Sequence, residues 1–99
     1  MSKQTKITKS AKGKDCQVRV IGICSYDNEK TVYAHLNGGG IGMKSHDIHG
    51  AYACFECHQW LDGGYVEHLV LREKRDLIHL EAVVRTQAIL LSEGLISVS

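Results

Sequence analysis

Cys54-Phe55-Glu56-Cys57-His58 decides how the rest of the chain is read. A C-x2-C knuckle aims two thiolates at one point, and two further cysteines complete a tetrahedral zinc site. The chain holds two more, Cys16 and Cys24, with seven residues between them and 29 more before Cys54. The x7 spacing is wider than the usual pair, but a bend between its ends closes the gap. No βαβ pattern of a thioredoxin-like redox pair surrounds Cys54. The same five residues also spell C-x-x-C-H, the haem-attachment pattern. Haem attachment requires export, and it would leave Cys16 and Cys24 unexplained. A structural Zn2+ on Cys16, Cys24, Cys54 and Cys57 is therefore expected.

A zinc staple suits the arithmetic of the chain. Its 99 residues make one domain, and only 6% of them are aromatic against 43% hydrophobic. Rings carry much of the burial in a small core. A structural zinc contributes on the order of 10–16 kcal/mol of coupled folding energy. No run approaches the roughly 18–20 apolar residues of a membrane span. Residues 1–14 lack the apolar core of a secretory signal. The expected compartment is the cytoplasm, where paired cysteines are more often metal ligands or catalysts than disulfides.

The formal net charge of +1 is a cancellation. Lys3, Lys6, Lys9, Lys12 and Lys14 put +5 into the first fourteen residues, which leaves −4 for the remainder. Residues 1–14 are thus expected to form a flexible basic arm, and residues 15–99 a single domain. The arm is either a solvated tail or a phosphate-seeking segment, since lysines that neutralise phosphates release counterions.

Within the domain, residues 17–23 alternate and are β-branched, which predicts a strand. Residues 31–36 predict a second strand, and the two are expected to pair as a hairpin across the turn at 25–30. Residues 38–45 (GGGIGMKS) form a glycine-rich loop. Met43 separates glycine from Lys44, so this is no Walker phosphate loop. Residues 55–61 predict a short helix closed by Gly63-Gly64. Leu77, Leu80, Val84, Ala88 and Leu91 recur at helical spacing and predict a long helix over about 71–93, with Gly94 as its stop.

Among six histidines, His35 and His58 stand out by context. His35 ends a strand before the glycine-rich loop, and His58 follows the knuckle. Asp62 lies four residues beyond His58, on the same helical face. That spacing suits two ligands of a hard divalent cation, or a ligand and its orienting partner.

Together, residues 32–36 and 54–58 resemble the HNH (ββα-metal) endonucleases. More closely, the chain from Lys9 onward resembles the small prophage-encoded YbcO family of nucleases. The stretches that carry this are Asp15-Cys16-Gln17-Val18-Arg19, Ala34-His35-Leu36, Ala53-Cys54, Cys57-His58 and Arg85-Thr86-Gln87. The resemblance implies an α+β fold: a small zinc-stapled ββα-metal domain with an added C-terminal long helix. It implies hydrolysis of phosphodiester bonds in DNA, duplex or branched. His35 matches the general-base histidine and His58 the metal-binding histidine. Asp47 or His49 lies nearest to the family's central asparagine. Ala34 stands where an acidic metal ligand commonly precedes the first histidine, a role that Asp62 or Asp47 could take over.

An imidazole exchanges protons near neutral pH, as a general base must. A Mg2+ or Mn2+ ion would stabilise charge on the phosphoryl group and the leaving oxygen. Lys12, Lys14, Arg19 and Lys44 are the expected phosphate contacts, which position a backbone without reading bases. A homodimer through the C-terminal helix is a further expectation. The alternative is a non-catalytic zinc module that binds nucleic acid or a phage partner.

Overall fold

The computed structural model of the protein describes residues 5–36 and 48–97. Lys44, Asp47 and the whole glycine-rich loop (38–45) lie outside those residues. The described elements are α1 (Lys6–Lys9), β1 (Val32–His35), β2 (Gly50–Ala53), α2 (Phe55–Gln59), α3 (Tyr65–Glu67) and α4 (Arg72–Ser92). Between α2 and α3 the backbone widens into a π-type turn over Trp60–Gly64. The helix expected over 55–61 is therefore shorter and continues through that turn. No helix among the described residues is long and apolar enough to cross a membrane.

The expected hairpin is corrected in its partner. β1 pairs antiparallel with β2, in the register Val32↔Ala53, Tyr33↔Tyr52, Ala34↔Ala51 and His35↔Gly50. Residues 17–23 form no strand. Their backbone turns back on itself, with the Ile23 and Cys24 amides both donating to the Val20 carbonyl at 3.0 and 2.9 Å. Arg19 (φ 52°) and Gly22 (φ 81°) adopt left-handed conformations that an extended strand does not allow. Val18 is buried, whereas Ile21 is 94% exposed. The alternation serves a loop that returns Cys24 to Cys16.

β2 presents Ala51 and Ala53, both fully buried, so α4 can pack closely across it. The buried residues of α4 are Arg75, His79, Ala82, Val83, Thr86 and Leu90. The apolar recurrence that located this helix lies on its other side: Leu77, Leu80, Val84 and Leu91 are 42–60% exposed. Three consecutive residues of α4 fasten it to three segments. Arg85 donates twice to the Gln17 carbonyl, at 2.6 and 3.2 Å. The buried Thr86 hydroxyl accepts from the Tyr52 amide at 3.1 Å, and Gln87 donates to the Ile48 carbonyl at 2.7 Å.

Residues 5–14 are packed rather than free. A reciprocal Thr5–Thr8 capping box starts α1. Ala11 is buried with Tyr52 and Leu90 in a second small core. Ser10 and the Tyr52 hydroxyl are 2.8 Å apart, and Lys14 pairs with Glu93 at 3.0 Å. The main core gathers the cysteines with Val18, Ala34, Trp60, Leu61 and Val83.

Candidate metal centre and histidine site

The turn at Val20 returns Cys24 toward Cys16, and Cys54 caps the start of α2 with Cys57 one turn on. Their four sulfur atoms all lie within 4.8 Å of one another. A tetrahedron with metal–sulfur bonds of about 2.3 Å has sulfur–sulfur edges of about 3.8 Å. The Cys24 and Cys54 sulfurs are 3.7 Å apart. Cys16, Cys54 and Cys57 are buried and Cys24 is half-buried, and none is in a disulfide. The Arg19 amide points at Cys16 Sγ (3.5 Å) and the Cys57 amide at Cys54 Sγ (3.4 Å). Such donors stabilise thiolates and orient them. The Cys57 thiol, donating to Cys16, holds Cys16 well below the usual thiol range, against the opposing effect of burial. That same bond and burial push Cys57 up, and burial first of all raises Cys24. Four thiols gathered around one point have the donor set on which a soft or borderline dication replaces protons. These four cysteines could hold a metal ion such as zinc.

His35 is the last residue of β1 and exposed. Its ring meets Tyr33 edge-on, with centroids 5.2 Å apart and planes at 80°. Tyr33 in turn meets Tyr52 across the ladder at 6.0 Å. The Tyr33 ring occupies the space over Gly50, where any Cβ would collide with it. On α2, which packs against β1, His58 Nε2 lies 3.7 Å from Asp62 Oδ2. One divalent ion with ligand distances of about 2.0–2.1 Å can bridge that separation. Ala34 is buried against the core and offers no ligand.

The other expected residues divide. Asp47 and Lys44 lie outside the described residues. Lys14 is paired with Glu93. The Arg19 guanidinium donates to the Cys16 carbonyl at 3.0 Å and to Gln17 Oε1 at 3.3 Å, bracing the cysteine loop. Lys12 is exposed and enters no ion pair among the described residues. The part played by Gly50 and Tyr33 depends on strand register, and no residue pattern announces it. His79 is the other omission: its ring lies 2.9 Å from the Ala34 carbonyl. A polar residue amid the buried positions of a helix was the available signal.

The family model described as "Putative nuclease YbcO" matches residues 5–95. Two curated relatives carry that same name, one from Escherichia coli (strain K12) and one from Enterobacteria phage 82. Each is 34% identical over 100 residues, covering 91% of this chain and 95% of the relative. A solved structure described as that of "a putative bacteriophage protein" from Escherichia coli K-12 (substrain MG1655) is 35% identical. It superposes with a TM-score of 0.71 over 89% of this chain and 99% of that one. A match along nearly the whole length, in sequence and in fold, shows that the chain belongs to the YbcO family.

Proposed function

We propose that the protein is a metal-dependent endonuclease of the ββα-metal type that hydrolyses phosphodiester bonds in DNA, duplex or branched. One observation carries this reading: β1, β2 and α2 follow in ββα order with His35 at the end of β1, His58 on α2 and Asp62 beside it in the π-type turn that continues α2. The family's name as a nuclease points the same way. His35 acts as general base, taking a proton from the attacking water, with its ring held by Tyr33. His58 and Asp62 are the ligands for Mg2+ or Mn2+, and Asp47 is the further acidic residue of the set. Such an ion, when bound, stabilises charge on the phosphoryl and leaving oxygens. The cysteine centre takes Zn2+ and is structural, because four protein ligands leave no open position for substrate. Reduced thiols of this kind suit the cytoplasm.

Purified protein supplied with magnesium or manganese is expected to nick supercoiled plasmid, and His35→Ala to lose at least 100-fold of that rate, the order of a general base's contribution. Equal nicking by both proteins would overturn the assignment of His35.

A second reading has its own observation. Ala34, buried and without a donor, occupies the place of the acidic ligand that commonly precedes the first histidine. A zinc module that binds nucleic acid or a phage partner without cutting would show salt-dependent gel shifts and no metal-dependent cleavage. The outward apolar stripe of α4 supports pairing with a second copy of the chain through that helix.

A further inference from the structure

A cleft of about 480 Å³ opens between α1 and β1, lined by Thr8, Lys9, Lys12, Glu29, Thr31 and Tyr33 among others. Its charge comes from the segment expected to be a free arm. Lys6, Lys9 and Lys12 recur every third residue, so they form one basic ridge on the helical turns of residues 6–12. None of the three enters an ion pair among the described residues, unlike Lys14 with Glu93 and Lys30 with Asp27. Within the cleft, two lysines outweigh the single acid, Glu29. Thr31 is 4% exposed, and its hydroxyl has no hydrogen-bond partner among the described residues. A buried hydroxyl without a partner is costly unless something else satisfies it. Tyr33 closes the cleft on one side and touches the His35 ring at 5.2 Å between centroids. The cleft therefore ends one aromatic ring away from His35.

We propose that this cleft is a phosphodiester-backbone subsite in which Lys9 and Lys12 contact phosphates and lead a nucleic-acid strand past Tyr33 to His35. It rests on the nuclease reading only in placing the bond to be cut at His35. The contacts are to phosphates, so the subsite holds strands of any sequence. Packing of Ala11 against Tyr52 and Leu90 fixes the ridge in place before the strand arrives. Less conformational freedom is then lost on binding than with a flexible tail.

The test uses the full chain carrying His35→Ala, with no magnesium or manganese added, so that binding is read apart from cleavage. Fluorescence anisotropy of a labelled DNA duplex and of a single strand is followed across a salt series. Each phosphate contact contributes about 0.9 to the slope of log affinity against log salt for duplex and about 0.7 for single strands. Lys9→Gln with Lys12→Gln should therefore lower the slope by about 1.4–1.8. Lys14→Gln removes the same kind of charge from outside the cleft and should leave the slope unchanged. Equal thermal melting of the variants shows that the fold is intact. A slope unmoved by the double substitution overturns the subsite, and so does an equal loss from Lys14→Gln or an absence of binding. Binding with the expected slopes in a protein that never nicks DNA would remove the nuclease reading and leave the subsite standing.

Discussion

The imidazole Nε2 of His79 lies 2.9 Å from the carbonyl oxygen of Ala34, the residue immediately before His35. A carbonyl only accepts, so His79 donates from Nε2 and braces the strand end that carries His35. Burial holds the His79 pKa below the ordinary histidine range, and Arg75 and His58 add to this. The Ala34 bond and Asp76 work in the opposite direction.

A pH dependence follows from that direction. The unfolded chain titrates this histidine at about 6.5, and the folded chain at a lower pH. Below about pH 6.5 the unfolded state then binds more protons. Stability is full above that pH and is lost as pH falls toward the folded value. Denaturant midpoints should decrease below about pH 6.5, and His79→Gln, which does not titrate, should weaken the decrease. Parallel pH profiles for the two proteins would contradict this role of His79.

Gly50 leaves the space that the Tyr33 ring fills. Gly50→Ala should force that ring aside at a cost of about 1–3 kcal/mol, the usual range for overpacking. The cost should appear as a lower melting temperature. His35 should respond too, because Tyr33 shields it edge-on: its ring proton resonances should move toward solvent-exposed positions. Adding Tyr33→Leu relieves the collision, so part of the lost stability should return while the His35 shift remains. Gly50→Ala with an unchanged melting temperature and spectrum would show that Tyr33 does not rest there.

The metal centre gives a stoichiometric expectation. Zinc coupled to folding at about 10–16 kcal/mol matches or exceeds the whole net stability of an ordinary domain, about 5–15 kcal/mol. Purified protein should carry about one zinc per chain. Cys57→Ser should lose it along with the near-ultraviolet circular dichroism of Trp60, which packs in the same core. A metal-free protein with an intact native spectrum would show the cysteines to be ordinary core residues.

The parts of the sequence that could be read correctly were those where chemistry is local. The knuckle at Cys54 and Cys57 announced its partners by residue type, and Gly94, at φ 74°, stops α4 close to where its periodicity ends. Strand pairing was hidden for a physical reason. Residues 17–23 have strand-like side chains, but Cys24 must return to Cys16, and the loop geometry prevails over propensity. The true partner, Gly50–Ala53, reads weakly because its small residues make room for α4 and Tyr33. Residues 6–12 looked like a tail because charge conceals one small anchor, Ala11.

The apolar spacing of α4 marked a helix correctly without marking its buried side, and the exposed side carries the last prediction. Leu77, Leu80, Val84, Ala88 and Leu91 form a seam about 21 Å long at the helical rise per residue. Spacings of three and four residues are those of a helix that packs against another helix. Antiparallel pairing about Val84 would set Leu77 opposite Leu91 and Leu80 opposite Ala88, so two copies bury the whole seam. Val84 is 60% exposed within one chain, and Val84→Glu should therefore leave the fold and its melting behaviour nearly intact. Across the two-fold axis, however, it would bring two like charges together without water, which costs far more than the lost methyl groups. Sedimentation should show a dimer for the unaltered protein and a monomer for Val84→Glu. A concentration-independent monomer in both cases would mean that the seam serves no pairing of this chain with itself.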